Sequence, residues 1–199
     1  NYFPSLEKKA YDVFKYSLSK VSSPELYANR LGEYLFEKYK VKVVILPPDL
    51  RHSTVRKYDI LSKTLVISDL LTIQSRVFMI AQQIALFDAD NEINNIISDN
   101  GITKSESVIL ARICLTSYFA GALLMPYENF LNKAIFYKYD IEKLMHKFGV
   151  SFEQCCHRLL TLQKPGLSGI PFHMLRVDIA GNISKSISFS GISLPRYTG

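Results

Sequence analysis

The stretch Ser75-Arg76-Val77-Phe78-Met79-Ile80-Ala81-Gln82-Gln83-Ile84-Ala85-Leu86-Phe87 reads as a helix carrying the frame of the zinc-protease motif H-E-x-x-H with its chemistry removed. Gln82 stands at the first histidine, Gln83 at the glutamate and Leu86 at the second histidine. A working motif needs two imidazoles at i and i+4 to hold zinc, with the glutamate as general base. Two amides and a leucine do neither job. A second stretch, Tyr118-Phe119-Ala120-Gly121-Ala122-Leu123-Leu124-Met125-Pro126, matches the partner helix, which zinc enzymes of this type write F-A-A-E-L-L-M-P, so the third ligand becomes Ala122. This pair of segments predicts a peptidase scaffold with no catalytic residue, no metal site and a converted binding pocket.

Working outward, residues 4–20 set Leu6, Ala10, Val13, Phe14 and Leu18 on one helical stripe. Ser22-Ser23-Pro24 reads as an N-cap with proline at the first helical position, opening a helix to about Lys40 that buries Leu26, Leu31, Leu35 and Tyr34. Residues 41–46 are strand-like and stop at Pro47-Pro48; residues 56–60 and 64–67 read as a β-hairpin. The motif helix spans residues 70–87. Thr103 with Glu106 reads as a capping box opening a helix to Leu124. Further helices fall at residues 128–137, 140–148 and 151–162, with Ser151 and Gln154 as another capping box and Gly149 at a C′ position. After Lys164-Pro165-Gly166, residues 172–177 and 183–189 alternate like strands around a Gly181-Asn182 turn. The fold class expected is α+β: a mainly helical domain with a small sheet over residues 1–168, then the first strands of a second domain, cut short, over residues 169–199.

Composition fits one globular domain plus a fragment: 199 residues, 48% apolar and 21% charged, with 12 Tyr and 12 Phe for core and pocket. No stretch approaches the roughly 20 apolar residues of a membrane span, and no secretory leader opens the chain. Three cysteines, two of them adjacent, make no disulfide framework and fit a reducing, cytoplasmic setting. A net charge of +6 suits an anionic partner, and is compatible with a nucleic acid, a phosphate-bearing metabolite or no partner at all. A start at Asn1 without an initiator methionine reads as a cut from a longer protein.

The order helix, helix, strand, hairpin, degenerate motif helix, helix ending L-L-M-P resembles the ImmA/IrrE-type metallopeptidase-like domain. The likeness narrows to the short-chain fatty acid regulator family. It is carried by Asn1-Tyr2-Phe3-Pro4-Ser5-Leu6-Glu7, Ala122-Leu123-Leu124-Met125-Pro126-Tyr127, Phe148-Gly149-Val150-Ser151-Phe152-Glu153-Gln154, His157-Arg158-Leu159 and Arg176-Val177-Asp178-Ile179-Ala180-Gly181-Asn182-Ile183-Ser184-Lys185. The resemblance implies the sensor core of a transcription regulator that binds coenzyme A or short-chain acyl-CoA. It also implies an upstream helix-turn-helix that contacts DNA, and a C-terminal domain whose cysteines, beyond Gly199, carry an iron–sulfur cluster in some members. Many members keep a histidine before Gln83, where this chain has Gln82.

A CoA site needs cations, an aromatic face and an apolar slot. The candidate ligand-binding residues are Arg56 and Lys57 on the hairpin, Arg76 at the start of the motif helix, Gln82, Gln83 and Ala122 at the vacated zinc positions, and Tyr118, Phe119 and Tyr127 around the facing helix. Arg76 is expected to reach a phosphate, and Tyr118 with Phe119 to close the acyl end. The competing reading makes Arg76 a structural ion-pair partner and the aromatics core, as aromatics at helical spacing usually are. His157 beside Cys155-Cys156 is too close to them on one helix to complete a metal shell and reads as structural. Residues 140–162 imitate a helix-turn-helix, but the second helix offers Phe152, Cys155, Leu159 and Leu160, with only His157 and Arg158 able to reach DNA, so the segment is assigned to the core. Two functions follow: an acyl-CoA-sensing regulator core, or a protein-interaction or dimerisation module (a homodimer) whose cleft is vestigial.

Overall fold

The computed structural model describes residues 2–21, 23–47 and 55–188. It opens with α1 (Pro4–Ser17), which starts on a proline and buries Leu6, Ala10 and Val13 along one stripe. A 3₁₀ turn, Pro24–Leu26, leads into α2 (Tyr27–Tyr39), so the proline opens a 3₁₀ turn and the α-helix starts three residues later than expected. The tighter turn swings Leu26 outward, where it is exposed, while Leu31, Leu35 and Tyr34 are buried. Ser22 lies outside the described residues, as does Phe189, the expected end of the last strand.

Three strands follow: β1 (Lys42–Leu46), β2 (Arg56–Asp59) and β3 (Thr64–Ser68). β3 is central, parallel to β1 and antiparallel to β2, which leaves β2 on an edge. Leu65 and Ile67 of β3 are fully buried. The motif helix is α3 (Ile73–Asp88), capped by Thr72, whose hydroxyl accepts from the Ser75 N–H. A helix not anticipated, α4 (Asp90–Asp99), then feeds α5 (Ser105–Leu124). The Thr103–Glu106 capping box does not form: α5 begins one residue later, with Lys104 at the N-cap and no side-chain cap.

α5 is the central helix, packed on α1, α3, α4 and α8. At 20 residues it is long and apolar enough to cross a membrane by length and composition, contrary to the expectation that no stretch comes near that. Packing on several sides accounts for the buried apolar residues of its second half, while Ile109, Leu110 and Ile113 in its first half are exposed. α6 (Tyr127–Phe136), α7 (Ile141–Phe148) and α8 (Phe152–Leu160) complete the helical part. Gly149 ends α7 in the left-handed region (φ 62°), and Ser151 and Gln154 form both halves of their capping box. A two-residue ladder of β4 (Gln163–Lys164) with β5 (Leu167–Ser168), absent from the expected elements, precedes the hairpin of β6 (His173–Val177) and β7 (Ile183–Ser188). The R-V-D-x-A-G-N string is the turn of that hairpin. Asp178 Oδ1 accepts from the N–H groups of Ala180 and Asn182, and these backbone bonds hold its carboxyl below the usual carboxylate range.

Candidate functional site

α3 runs antiparallel to α5, with Gln82 beside Ser117 and Asp90, just past its end, beside Arg112, and it packs on both α5 and β3. With 100° of turn per residue, Met79 and Leu86 lie about 40–60° from Gln83 in the direction of Gln82. Gln83 turns toward β2, where its side-chain oxygen accepts from Arg56 Nη2 at 2.6 Å, and it is 2% exposed. Gln82 turns toward α5, donating from Nε2 to Ser117 Oγ at 3.0 Å. The two amides therefore tie the sheet and the facing helix to α3 at the height where the peptidase motif would hold zinc. Gln82, Leu86 and Ala122 offer none of the imidazole, thiolate or carboxylate donors that zinc takes, and among the described residues no three His, Cys, Asp or Glu side chains gather around a point. The residues present do not fit zinc.

The substitution at Gln83 changes the electrostatics as well as the coordination. A glutamate there would neutralise Arg56; an amide accepts its hydrogen bond and leaves the charge unbalanced. Burial pulls the Arg56 pKa down, although a guanidinium stays protonated in a protein. Arg76 lies two turns before Gln83 on nearly the same line of α3, within about 20°. Neither arginine has a carboxylate partner among the described residues. Arg76 Nε is also buried without a hydrogen-bond partner. A buried donor left unmet is destabilising by about 1–3 kcal/mol.

The other expected site residues are placed elsewhere. Lys57 alternates to the opposite face of β2 from Arg56 and is exposed. Ala122 is buried, about 140° around α5 from Ser117. Phe119 is in the core, fully buried. Tyr118 faces α1: its hydroxyl donates to Glu7 Oε1 at 2.6 Å and accepts from the Phe3 N–H at 3.2 Å. Tyr127 accepts from Lys164 N–H and donates to Leu167 C=O, both at 2.9 Å, fastening the β4–β5 ladder to the helical body. Arg158, considered for DNA contact, is 2% exposed. Its Nη1 and Nη2 donate to the two oxygens of Glu7 at 2.7 and 2.9 Å, and its Nε donates to Met125 C=O at 2.9 Å. Burial opposes that charge, but the Glu7 carboxylate outweighs it and raises the pKa of Arg158. The strings N-Y-F-P-S-L-E, L-L-M-P and H-R-L thus meet in one buried cluster, which makes them scaffold.

A cavity of about 510 Å³ lies between α1, α2 and the end of α3 around Asp88. The Asp88 carboxylate is saturated there by the hydroxyls of Tyr34 (2.7 Å) and Tyr39 (2.6 Å) and by the Lys38 ammonium, and burial with that carboxylate pushes the Tyr39 phenol up to about 12. The cavity's remaining charges include the carboxylates of Asp12 and Glu37, a poor match for an anionic ligand, and we place the candidate site at the unmatched arginines. Burial, with a smaller contribution from Cys156, pushes the Cys155 thiol up to about 12, burial raises that of Cys156, and Cys114 is exposed on α5. Maleimide should accordingly label native protein fastest at Cys114, then Cys156, with Cys155 last, as read by peptide mass spectrometry. Rapid labelling of Cys155 would contradict this packing of α8.

Fold and donor set together define a metallopeptidase scaffold stripped of its metal chemistry. The chain belongs to the IrrE N-terminal-like domain family, which matches residues 36–160, and its residues 161–199 match the C-terminal region of short-chain fatty acyl coenzyme A regulators. It is homologous to the HTH-type transcriptional regulator PrpR of Mycobacterium tuberculosis, 37% identical over the whole chain and 40% of that protein. It is also 40% identical to RamB of the same organism, over 72% of the chain and 30% of that protein. A propionyl-CoA carboxylase regulator of Cereibacter sphaeroides is 39% identical over 61% of the chain and 26% of its own length. A solved Mycobacterium tuberculosis transcriptional regulator superposes with a TM-score of 0.89 at 37% identity, covering the whole chain and 59% of that structure. The chain thus spans less than half the length of the curated relatives it matches.

Proposed function

We propose that this chain is the sensor core of a transcription regulator of short-chain fatty acid metabolism, taking coenzyme A or a short-chain acyl-CoA in the vestigial cleft and performing no hydrolysis. DNA is then bound by a helix-turn-helix outside the chain, and the protein acts inside the cell. The observation that carries this reading is the pair of arginines, Arg56 and Arg76, without carboxylate partners among the described residues, one of them with a buried unmet donor. The phosphates of CoA supply the missing charge, at about 1.5–3 kcal/mol per charged hydrogen bond, against about 0.8 kcal/mol per buried CH₂ of a free short acid. The names of the relatives, which include regulators of propionyl-CoA carboxylase and of short-chain fatty acyl coenzyme A, support the same class of ligand.

Calorimetry with CoA, propionyl-CoA and propionate tests the reading. The nucleotide-bearing ligands should bind and propionate should not. Arg76→Ala should weaken propionyl-CoA roughly ten- to a hundredfold, while the ligand-free variant melts no lower than the parent because an unmet donor has been removed. Absence of heat with either CoA species would leave the protein-interaction module as the function. An unfolded Arg76→Ala variant would make that arginine structural.

A further inference from the structure

We infer that Tyr127 couples the start of the chain to its C-terminal region: opening the β4–β5 ladder frees Tyr2, and docking Tyr2 steadies the ladder. The two segments lie outside the IrrE-like span of residues 36–160, one before it and one in the stretch that matches the C-terminal region of the regulators. Both rest on one phenol. The Tyr127 hydroxyl accepts from the Lys164 N–H and donates to the Leu167 carbonyl, each at 2.9 Å, so both bonds go to the ladder. Its ring meets Tyr2 edge-on, with centroids 5.3 Å apart and planes at 78°. Burial, with the Glu7 carboxylate second, raises the pKa of the Tyr2 phenol, as expected of a ring seated on the body. The outer torsion of a tyrosine is broad, so the ring takes the tilt at which its hydroxyl is bound. With the ladder gone, the ring is free to turn into the space left behind, and Tyr2 loses the face it packs on. The residues after Tyr2 are held from inside. The Phe3 N–H donates to the Tyr118 hydroxyl at 3.2 Å, its ring stands edge-on to Tyr118 at 5.0 Å, and Glu7 is bound by Arg158. This anchor stays while Tyr2 moves. The ladder is the part able to open, because it pairs only Gln163 with Ser168 and Lys164 with Leu167, and β5 is exposed. A pairing this short has little stability of its own. Lys164 also reaches Glu128 at 3.6 Å, but both side chains are exposed and such a pair adds little. In the regulator proposed above, a DNA-binding part joined ahead of Tyr2 would be steadied or loosened with it; that consequence rests on the proposed function, and the coupling itself does not.

The chain contains no tryptophan, so Tyr2→Trp places a single indole at this contact. Acrylamide quenching of that indole is measured alone, with Tyr127→Phe and with Gly169→Ala. Tyr127→Phe keeps the ring and removes both ladder bonds. Gly169→Ala leaves Tyr127 untouched but sets a Cβ 3.1 Å from both Cβ and Cδ1 of buried Leu162, which pushes the ladder off the body. Amide exchange at Lys164 and Gly169, followed by NMR, should quicken roughly ten- to a hundredfold in Tyr127→Phe, as the loss of two hydrogen bonds requires. Quenching of the indole at position 2 should rise toward its value in urea with either second change. An indole placed at position 3 by Phe3→Trp should not respond. Faster exchange in the ladder with unchanged quenching at position 2 overturns the coupling, and so does exchange that Tyr127→Phe leaves unaltered. If Tyr127→Phe does not fold, Gly169→Ala decides by the same two readings. No ligand enters these measurements, so their failure leaves the proposed function standing, and absence of CoA binding leaves the coupling standing.

Discussion

Arg158→Ala is expected to destabilise the ligand-free protein by about 3–5 kcal/mol, a large share of the stability of a domain this size. The arginine side chain is 1% exposed and that of its partner Glu7 is 9% exposed. Truncation leaves a buried carboxylate with the Tyr118 hydroxyl alone, and leaves the Met125 carbonyl without its donor. Urea denaturation measures the loss. The double variant Glu7→Leu, Arg158→Met should be more stable than Arg158→Ala, because removing both charges removes the desolvation problem that removing one creates. A loss under about 1 kcal/mol for Arg158→Ala would mean that water reaches Glu7 and that the cluster is not sealed.

Phe119→Ala should lose a similar amount, about 3–5 kcal/mol, because the ring is fully buried among core residues and its removal leaves a cavity. Phe119→Leu should be milder and should leave the ranking of acyl-CoA lengths unchanged in calorimetry. The combination separates two roles. A core phenylalanine shifts stability and not ranking; an acyl-slot phenylalanine shifts ranking and not stability. A normal melting profile for Phe119→Ala with a reordered acyl preference would return the residue to the slot.

Short-range signals made much of the fold legible. The motif helix, the β2–β3 hairpin, the Ser151–Gln154 box and the Gly149 terminus all depend on residues a few positions apart, and each is present. α4 was missed because Asp90-Asn91-Glu92-Ile93-Asn94-Asn95 is poor helix-forming sequence; Ile93 and Ile97 in the core and Arg112 bonded to Asp90 and Asn94 hold it. Thr103 and Glu106 have the right spacing, yet α5 starts one residue further on, which spacing alone does not determine. At the cleft, the loss of zinc chemistry was visible in Gln82, Gln83 and Leu86. The role of Tyr118 was not, because nothing local marks Glu7, 111 residues away, as its partner. Ser117 was passed over for the same reason: a serine in an apolar helix acquires meaning only from what stands opposite it.

The bond between Glu7 and Arg158 spans 151 positions of the chain. During synthesis at about 5–20 residues per second, Glu7 is made roughly 8–30 seconds before the arginine that neutralises it. Throughout that interval, seating α1 against α5 would leave the Glu7 carboxylate with the Tyr118 hydroxyl alone. The helix made first is therefore the helix locked last. The clasp acts as a completeness check, closing only on a nascent chain that has already delivered every helix of the domain.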